Sequence, residues 1–105
     1  MLVVIFRARI KQFDEKYSKT ASRMRELALQ EFGCLAFHAL TEGQDEIALS
    51  YWQNEQHVKA WRAHPEHLEA QRLGKSQWYE SYSVEVAHIE RSYQMPPNPS
   101  TGTPP

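Results

Sequence analysis

The spacing of apolar residues along this chain switches between two and 3.6, and the order of the switches limits the folds open to it. Leu2–Ile10 is short, rich in β-branched residues and bounded by polar ones, which predicts a strand. Leu2, Val4, Phe6, Ala8 and Ile10 share one face; Val3, Ile5, Arg7 and Arg9 share the other, which turns basic towards its end. Asp14 is placed to cap a helix, with Glu15 suited to its first turn. Tyr17, Ala21, Met24, Leu27, Ala28 and Glu31 then recur at helical spacing, and Gly33 is a natural stop. Cys34–Thr41 and Glu46–Trp52 predict two further strands, joined by the turn residues Glu42-Gly43-Gln44-Asp45 into an antiparallel hairpin. Asn54 caps a short helix carrying Val58 and Trp61. His64-Pro65 breaks that helix and starts another, since proline is favoured at a first helical position. The second piece runs through Leu68 and Leu73 towards Trp78, weakened by Gly74 by about 1 kcal/mol against alanine. Tyr82–Arg91 alternates again and predicts a fourth strand.

The resulting order, β-α-β-β-α-β, is the split-βαβ, ferredoxin-like arrangement of the α+β class. Its helices cover one face of a four-stranded antiparallel sheet. The strands are nevertheless apolar on both faces. In Cys34–Leu40, Cys34, Ala36 and Leu40 lie on one and Leu35, Phe37 and Ala39 on the other; in the third strand Ile47, Leu49 and Tyr51 oppose Ala48, Ser50 and Trp52. A sheet with one solvated face alternates more cleanly than this. A second copy of the same sheet is the simplest cover, so the pattern predicts a homodimer.

At 105 residues the chain has room for one core, and the domain is expected over residues 1–93. Residues 94–105 read Gln-Met-Pro-Pro-Asn-Pro-Ser-Thr-Gly-Thr-Pro-Pro. They offer too little apolar surface to offset the entropy of ordering, which predicts a disordered tail or one ordered by a neighbouring subunit. A formal net charge of −1 argues against nucleic acid and anionic membrane partners. Neither a signal peptide nor an apolar run of membrane-spanning length is visible. The one cysteine, Cys34, rules out an internal disulfide and fits a reducing, cytoplasmic setting.

All three tryptophans and four of the five tyrosines lie from Tyr51 onward, in the same stretch as His57, His64 and His67. Trp61, His64 and His67 follow one another at intervals of three, the spacing of a shared helix face. One reading makes them a pocket wall for a flat substrate. The other has Trp61 in the core, His64 capping the next helix and His67 facing water. A His-x-x-His pair with no evident third ligand is a weak metal site. Tyr51 and Trp52 point to opposite faces of their strand, one towards the helices and one towards the dimer seam. Arg7 interrupts an apolar strand and needs a partner, either a substrate oxygen or Glu85 or Glu90. His38 offers a neutral base or an interface histidine. Cys34 follows a helix C-terminus, where the dipole disfavours a thiolate. There is no glycine-rich phosphate loop, no Ser/His/Asp order and no room for a nicotinamide or flavin domain.

Three features together suggest a family: the order of elements, the strand Ile47-Ala48-Leu49-Ser50-Tyr51-Trp52, and the run Trp61-Arg62-Ala63-His64-Pro65-Glu66-His67 followed by Trp78-Tyr79. Over residues 1–93 the chain resembles the antibiotic biosynthesis monooxygenase family, which implies a dimeric α+β barrel. The family's quinone-forming members need no cofactor, because the substrate supplies the electrons while a base and hydrogen bonds stabilise its anion. Carried over, the resemblance offers His64, Trp61 and Arg7 as catalytic residues, with Trp52 and Tyr79 around a small aromatic or quinol-like substrate; Tyr51 and His38, placed by their strand positions, complete the expected binding set. Heme-degrading members ask for an asparagine on the first strand, a tryptophan and a histidine ligand. Trp61 and His64 match the last two, but Leu2–Ile10 has no asparagine. The remaining alternative is a non-catalytic dimer that binds small molecules.

Overall fold

The first strand, β1 (Leu2–Ile10), has the most apolar segment of the chain and lies inside the sheet, hydrogen-bonded on both edges. It pairs antiparallel with β3 (Asp45–Trp52) from Leu2↔Trp52 to Arg9↔Asp45, and with β4 (Tyr79–His88) from Leu2↔His88. β2 (Cys34–Glu42) joins the far side of β3, giving the order β2-β3-β1-β4. This is the four-stranded antiparallel, ferredoxin-like sheet that the periodicity predicts. The computed structural model describes residues 1–96. Most of the expected tail therefore lies outside the described residues.

Three helices cover one face. Asp14 opens α1 (Glu15–Glu31), its Oδ1 accepting from the Tyr17 amide at 2.7 Å. Gly33 ends it with φ of 77°, a left-handed conformation that a side chain would strain. Asn54 caps α2 (Glu55–Ala63) in the same way, accepting from the His57 amide at 3.0 Å. His64 then adopts the extended backbone that a residue before proline favours, and α3 (Pro65–Leu73) begins. The pieces of the predicted second helix are thus real, but the last of them changes character. After Leu73 the helix widens into a π-helical turn, Gly74–Trp78, before entering β4.

The core falls into two clusters beneath the helices. Leu2, Val4, Met24, Leu27, Ala28, Cys34, Trp52, Val58 and Trp61 form one; Ala8, Ile10, Tyr17, Leu73 and Trp78 form the other. Trp52, Trp78, Ile10 and Leu27 are fully buried, each contributing about 1.5–3 kcal/mol. Among the described residues no helix or strand covers the opposite face of the sheet. Its Ile5, Leu49 and Tyr51 are half-buried, and Leu40 and Ile47 are exposed.

Two irregularities break the strict alternation read from the sequence. Cys34 faces Trp52 while Ala36 faces Tyr51, so Leu35 is an extra residue in β2. Cys34 accordingly joins Phe37 on the helix face and not Ala36, as simple alternation predicts. Likewise Arg9 faces Ser81 while Ile10 faces Tyr79, which makes Glu80 an extra residue in β4. The fourth strand therefore starts three residues earlier than expected. Tyr79 and Tyr82 both turn towards the helices, a redirection typical of β-bulges.

Candidate functional site

A cavity of about 180 Å³ lies between the helix face of the sheet and α1, α2 and α3. Val4, Phe6, Ala48 and Val84 form its floor, and Met24, Ala21 and Ala70 part of its roof. Its polar atoms gather at two ends.

At one end the hydroxyl of Tyr17 donates to the carboxylate of Glu46. Among the described residues no lysine, arginine or histidine lies within ion-pair distance of that carboxylate. Burial, together with the bond to Glu46, drives the Tyr17 phenol far above its ordinary range. Tyr79 stands against Tyr17, their ring centroids 6.2 Å apart. Burial, and then the nearby Glu46 charge, push its phenol up to about 12. Both phenols thus keep their protons at neutral pH. Tyr79 also packs on Phe6 and Tyr82, with centroids 5.4 and 5.6 Å away, so its ring is held on three sides.

The other end is built on Trp61. Its Nε1 donates to the Met24 carbonyl at 3.1 Å, pinning α2 to α1. Its ring packs on Trp52 at 5.3 Å and meets the His67 ring edge-on at 4.4 Å. Gln71 Nε2 lies 3.0 Å from His67 Nδ1. Burial, reinforced by the positive charge of Arg62, lowers His67 to about 4. Arg62 itself lines the cavity and, among the described residues, enters no ion pair or hydrogen bond.

Of the residues singled out from sequence, Trp61, His67 and Tyr79 line this cavity. Trp52 does not: it is fully buried behind Trp61, its Nε1 donating to Ser50 Oγ at 2.9 Å. His64 caps α3, its Nδ1 accepting from the Glu66 amide at 3.1 Å, and is absent from the lining. Arg7 lies on the uncovered face of the sheet, 2.5 Å from Glu85, because its parity in β1 opposes that of the cavity residues. Tyr51 and His38 share that face, with ring centroids 6.2 Å apart. The expected convergence of Trp61, His64, Trp52 and Arg7 does not occur. Nor does His67 face water: it is half-buried on the cavity wall. Cys34 is buried, its Sγ 3.2 Å from the Ala36 carbonyl oxygen, and burial raises its thiol pKa.

Tyr17, Glu46, Arg62, Gln71 and Tyr82 were not singled out. Glu46 leaves a trace in the sequence, as a charged residue with the same parity as Ala48, Ser50 and Trp52. So does Tyr17, the polar tip on an apolar helix stripe, and Gln71, one turn beyond His67. Tyr82 is hidden by the bulge that aligns it with Tyr79. Arg62 leaves none, since a basic residue in a helix's last turn is commonplace.

The antibiotic biosynthesis monooxygenase family profile matches residues 1–73. A curated relative, the uncharacterized protein YqjZ of Bacillus subtilis, is 39% identical over 89 residues, covering 84% of this chain and 78% of that protein. Among solved structures, SnoaB, a cofactor-independent oxygenase from Streptomyces nogalater, superposes with a TM-score of 0.72 at 10% identity, over 87% of this chain and 94% of its own. Rv0793 from Mycobacterium tuberculosis gives 0.72 at 13% identity, over 89% and 98%. At such identities the two structures establish a shared fold.

Proposed function

The chain belongs to the antibiotic biosynthesis monooxygenase family, and from that premise we propose that it oxidises a small aromatic, phenol- or quinol-like molecule with molecular oxygen and no resident cofactor. The observation that carries this reading is the cavity itself. It is apolar and aromatic along its length, yet holds a carboxylate at one end and a neutral histidine at the other. A benzene-sized molecule fits an apolar cavity of about 150 Å³, so this one suits one ring or a small fused pair.

Glu46 is the anionic proton acceptor on the wall, held in place by Tyr17. Tyr79, which keeps its proton at neutral pH, donates to the oxyanion that forms as the substrate loses its hydroxyl proton. Trp61 and Phe6 supply flat apolar surface. For a phenol the balance is complete without another reductant. One ring C–H and the O–H are lost, one atom of O2 becomes the second quinone carbonyl, and the other leaves as water. The substrate is the reductant and O2 the oxidant.

A heme does not fit these residues. The cavity is smaller than the roughly 300 Å³ at which pockets for larger ligands begin. His64, the histidine that the family resemblance offers as ligand, lies outside the cavity with Nδ1 engaged as a cap.

The apolar outer face supports a homodimer as the working form, with Ile5, Leu40, Ile47, Leu49 and Tyr51 meeting their counterparts. Among the described residues no helix is long and apolar enough to cross a membrane. A single buried thiol suits a cytoplasmic setting.

The test is oxygen consumption by purified protein, treated with chelator and checked free of flavin, against a panel of hydroxylated one- and two-ring aromatics. Uptake with quinone absorbance is expected, falling at least a hundredfold in Glu46→Gln with unchanged circular dichroism. Absence of uptake across the panel overturns the reading, as does full activity in Glu46→Gln.

A further inference from the structure

We infer that the cavity is bipolar and selects a hydroxylated aromatic carboxylate, its carboxylate set against Arg62 and its hydroxyl donating to Glu46. The inference takes the cavity to be the substrate site, as proposed above, and specifies what enters it. Two opposite charges line one apolar space, and among the described residues neither is neutralised by an ion pair. Charges beside an apolar space are costly unless something pairs with them. They cannot pair with each other. Glu46 lies at the Tyr17 end of β3, four residues before Ser50, or about 13 Å along an extended strand. Arg62 follows Trp61, whose ring packs at the Trp52 end.

The chemistry of each end is specific. Arg62 has five donors in a fork suited to a carboxylate, and its charge already disfavours a proton on His67. A neutral histidine beside an unpaired guanidinium makes an electropositive end that accepts an anion. At the Glu46 end Tyr17 already donates to the carboxylate, which leaves room for a further neutral donor. A cationic amine is the competing ligand for that end. The two are separated by comparing 4-hydroxybenzoate with 4-hydroxybenzylamine, whose ammonium group would take the place of the hydroxyl against Glu46.

Calorimetric titration with 4-hydroxybenzoate, benzoate, phenol and 4-hydroxybenzylamine tests this. In 4-hydroxybenzoate the carbon para to the hydroxyl carries the carboxylate, so that route to a quinone is blocked and binding is read without it. The expected order has 4-hydroxybenzoate at least tenfold tighter than phenol, benzoate or the amine. In Arg62→Gln the ratio of 4-hydroxybenzoate to phenol affinity falls to about one; in Glu46→Gln the ratio of 4-hydroxybenzoate to benzoate does. Equal affinities, preference for the amine, no binding of 4-hydroxybenzoate, or ratios unchanged in the variants overturn it. Selective binding with no oxygen uptake by any substrate would leave this inference standing and sink the oxygenase reading. Uptake with neutral phenols, indifferent to Arg62→Gln, would do the reverse.

Discussion

Gly74→Ala is the substitution on which sequence and structure disagree in sign. Gly74 has ordinary right-handed helical angles, φ −58° and ψ −49°, so its backbone does not require glycine. By helix propensity alone, alanine there adds about 1 kcal/mol of stability. The structure reverses this. A Cβ at position 74 would lie 2.7 Å from Tyr79 Cδ2 and closer still to Cε2. Real carbon atoms do not approach so closely, and one of the two must move. Phe6, Tyr82 and Tyr17 hem in the Tyr79 ring, which can yield only towards the cavity it lines and at the loss of those contacts. Overpacking of this kind costs about 1–3 kcal/mol, and contact with two ring carbons places it in the upper half of that range. Subtracting the propensity gain leaves a net loss of about 1–2 kcal/mol. For a domain of this size that is a fall in Tm of about 4–8 °C. The assay is urea and thermal denaturation at fixed protein concentration, because the Tm of the proposed dimer would depend on concentration. A second background isolates the cause: in Tyr79→Ala the clash is gone, and Gly74→Ala should become stabilising by about 1 kcal/mol. A rise in Tm in the wild-type background, or equal effects in both, would refute the reasoning.

His67 gives a pH signature. Its folded pKa of about 4 lies below the ordinary 6.5, so between those values the unfolded chain binds a proton that the folded chain refuses. Stability should therefore be complete above pH 6.5 and decline towards pH 4, by at most about 3 kcal/mol. His67→Gln should flatten that decline in urea midpoints measured against pH. Cys34 should react with a thiol reagent at least a hundredfold more slowly in the native protein than in urea, since its thiol is buried and its pKa raised. Leu49→Arg, on the uncovered sheet face, should shift sedimentation equilibrium from dimer to monomer; a wild type already monomeric at micromolar concentration would remove the dimer. Arg7→Ala should change stability by less than about 1 kcal/mol and 4-hydroxybenzoate affinity by less than twofold, as an exposed pair with Glu85 outside the cavity predicts.

The elements themselves were legible because each rests on local chemistry. Asp14 and Asn54 are caps, Gly33 adopts the left-handed stop, and Pro65 opens α3, all effects that act within a few residues. The site was legible only in part. Trp61 could be placed because a large apolar residue on a short helix must face the sheet. His64 and His67 could not be assigned from spacing, because the Pro65 break turns the axis between them. His64 became the cap, one of the two roles open to it, while His67 became a cavity residue instead of facing water.

By itself the chain's periodicity determined the β-α-β-β-α-β order, the antiparallel sheet and the apolar second face, since burial must repeat at the period of the backbone that presents it. Tertiary structure alone decided what the cavity contains. One extra residue at Leu35 and one at Glu80 change which side chains face inward, and nothing local announces either. Arg7, Tyr51 and His38 fall on the outer face by the same rule of parity that puts Glu46 within reach of Tyr17, 29 residues away in sequence. Such a pairing is a property of strand register and helix docking, which are set by the whole core at once.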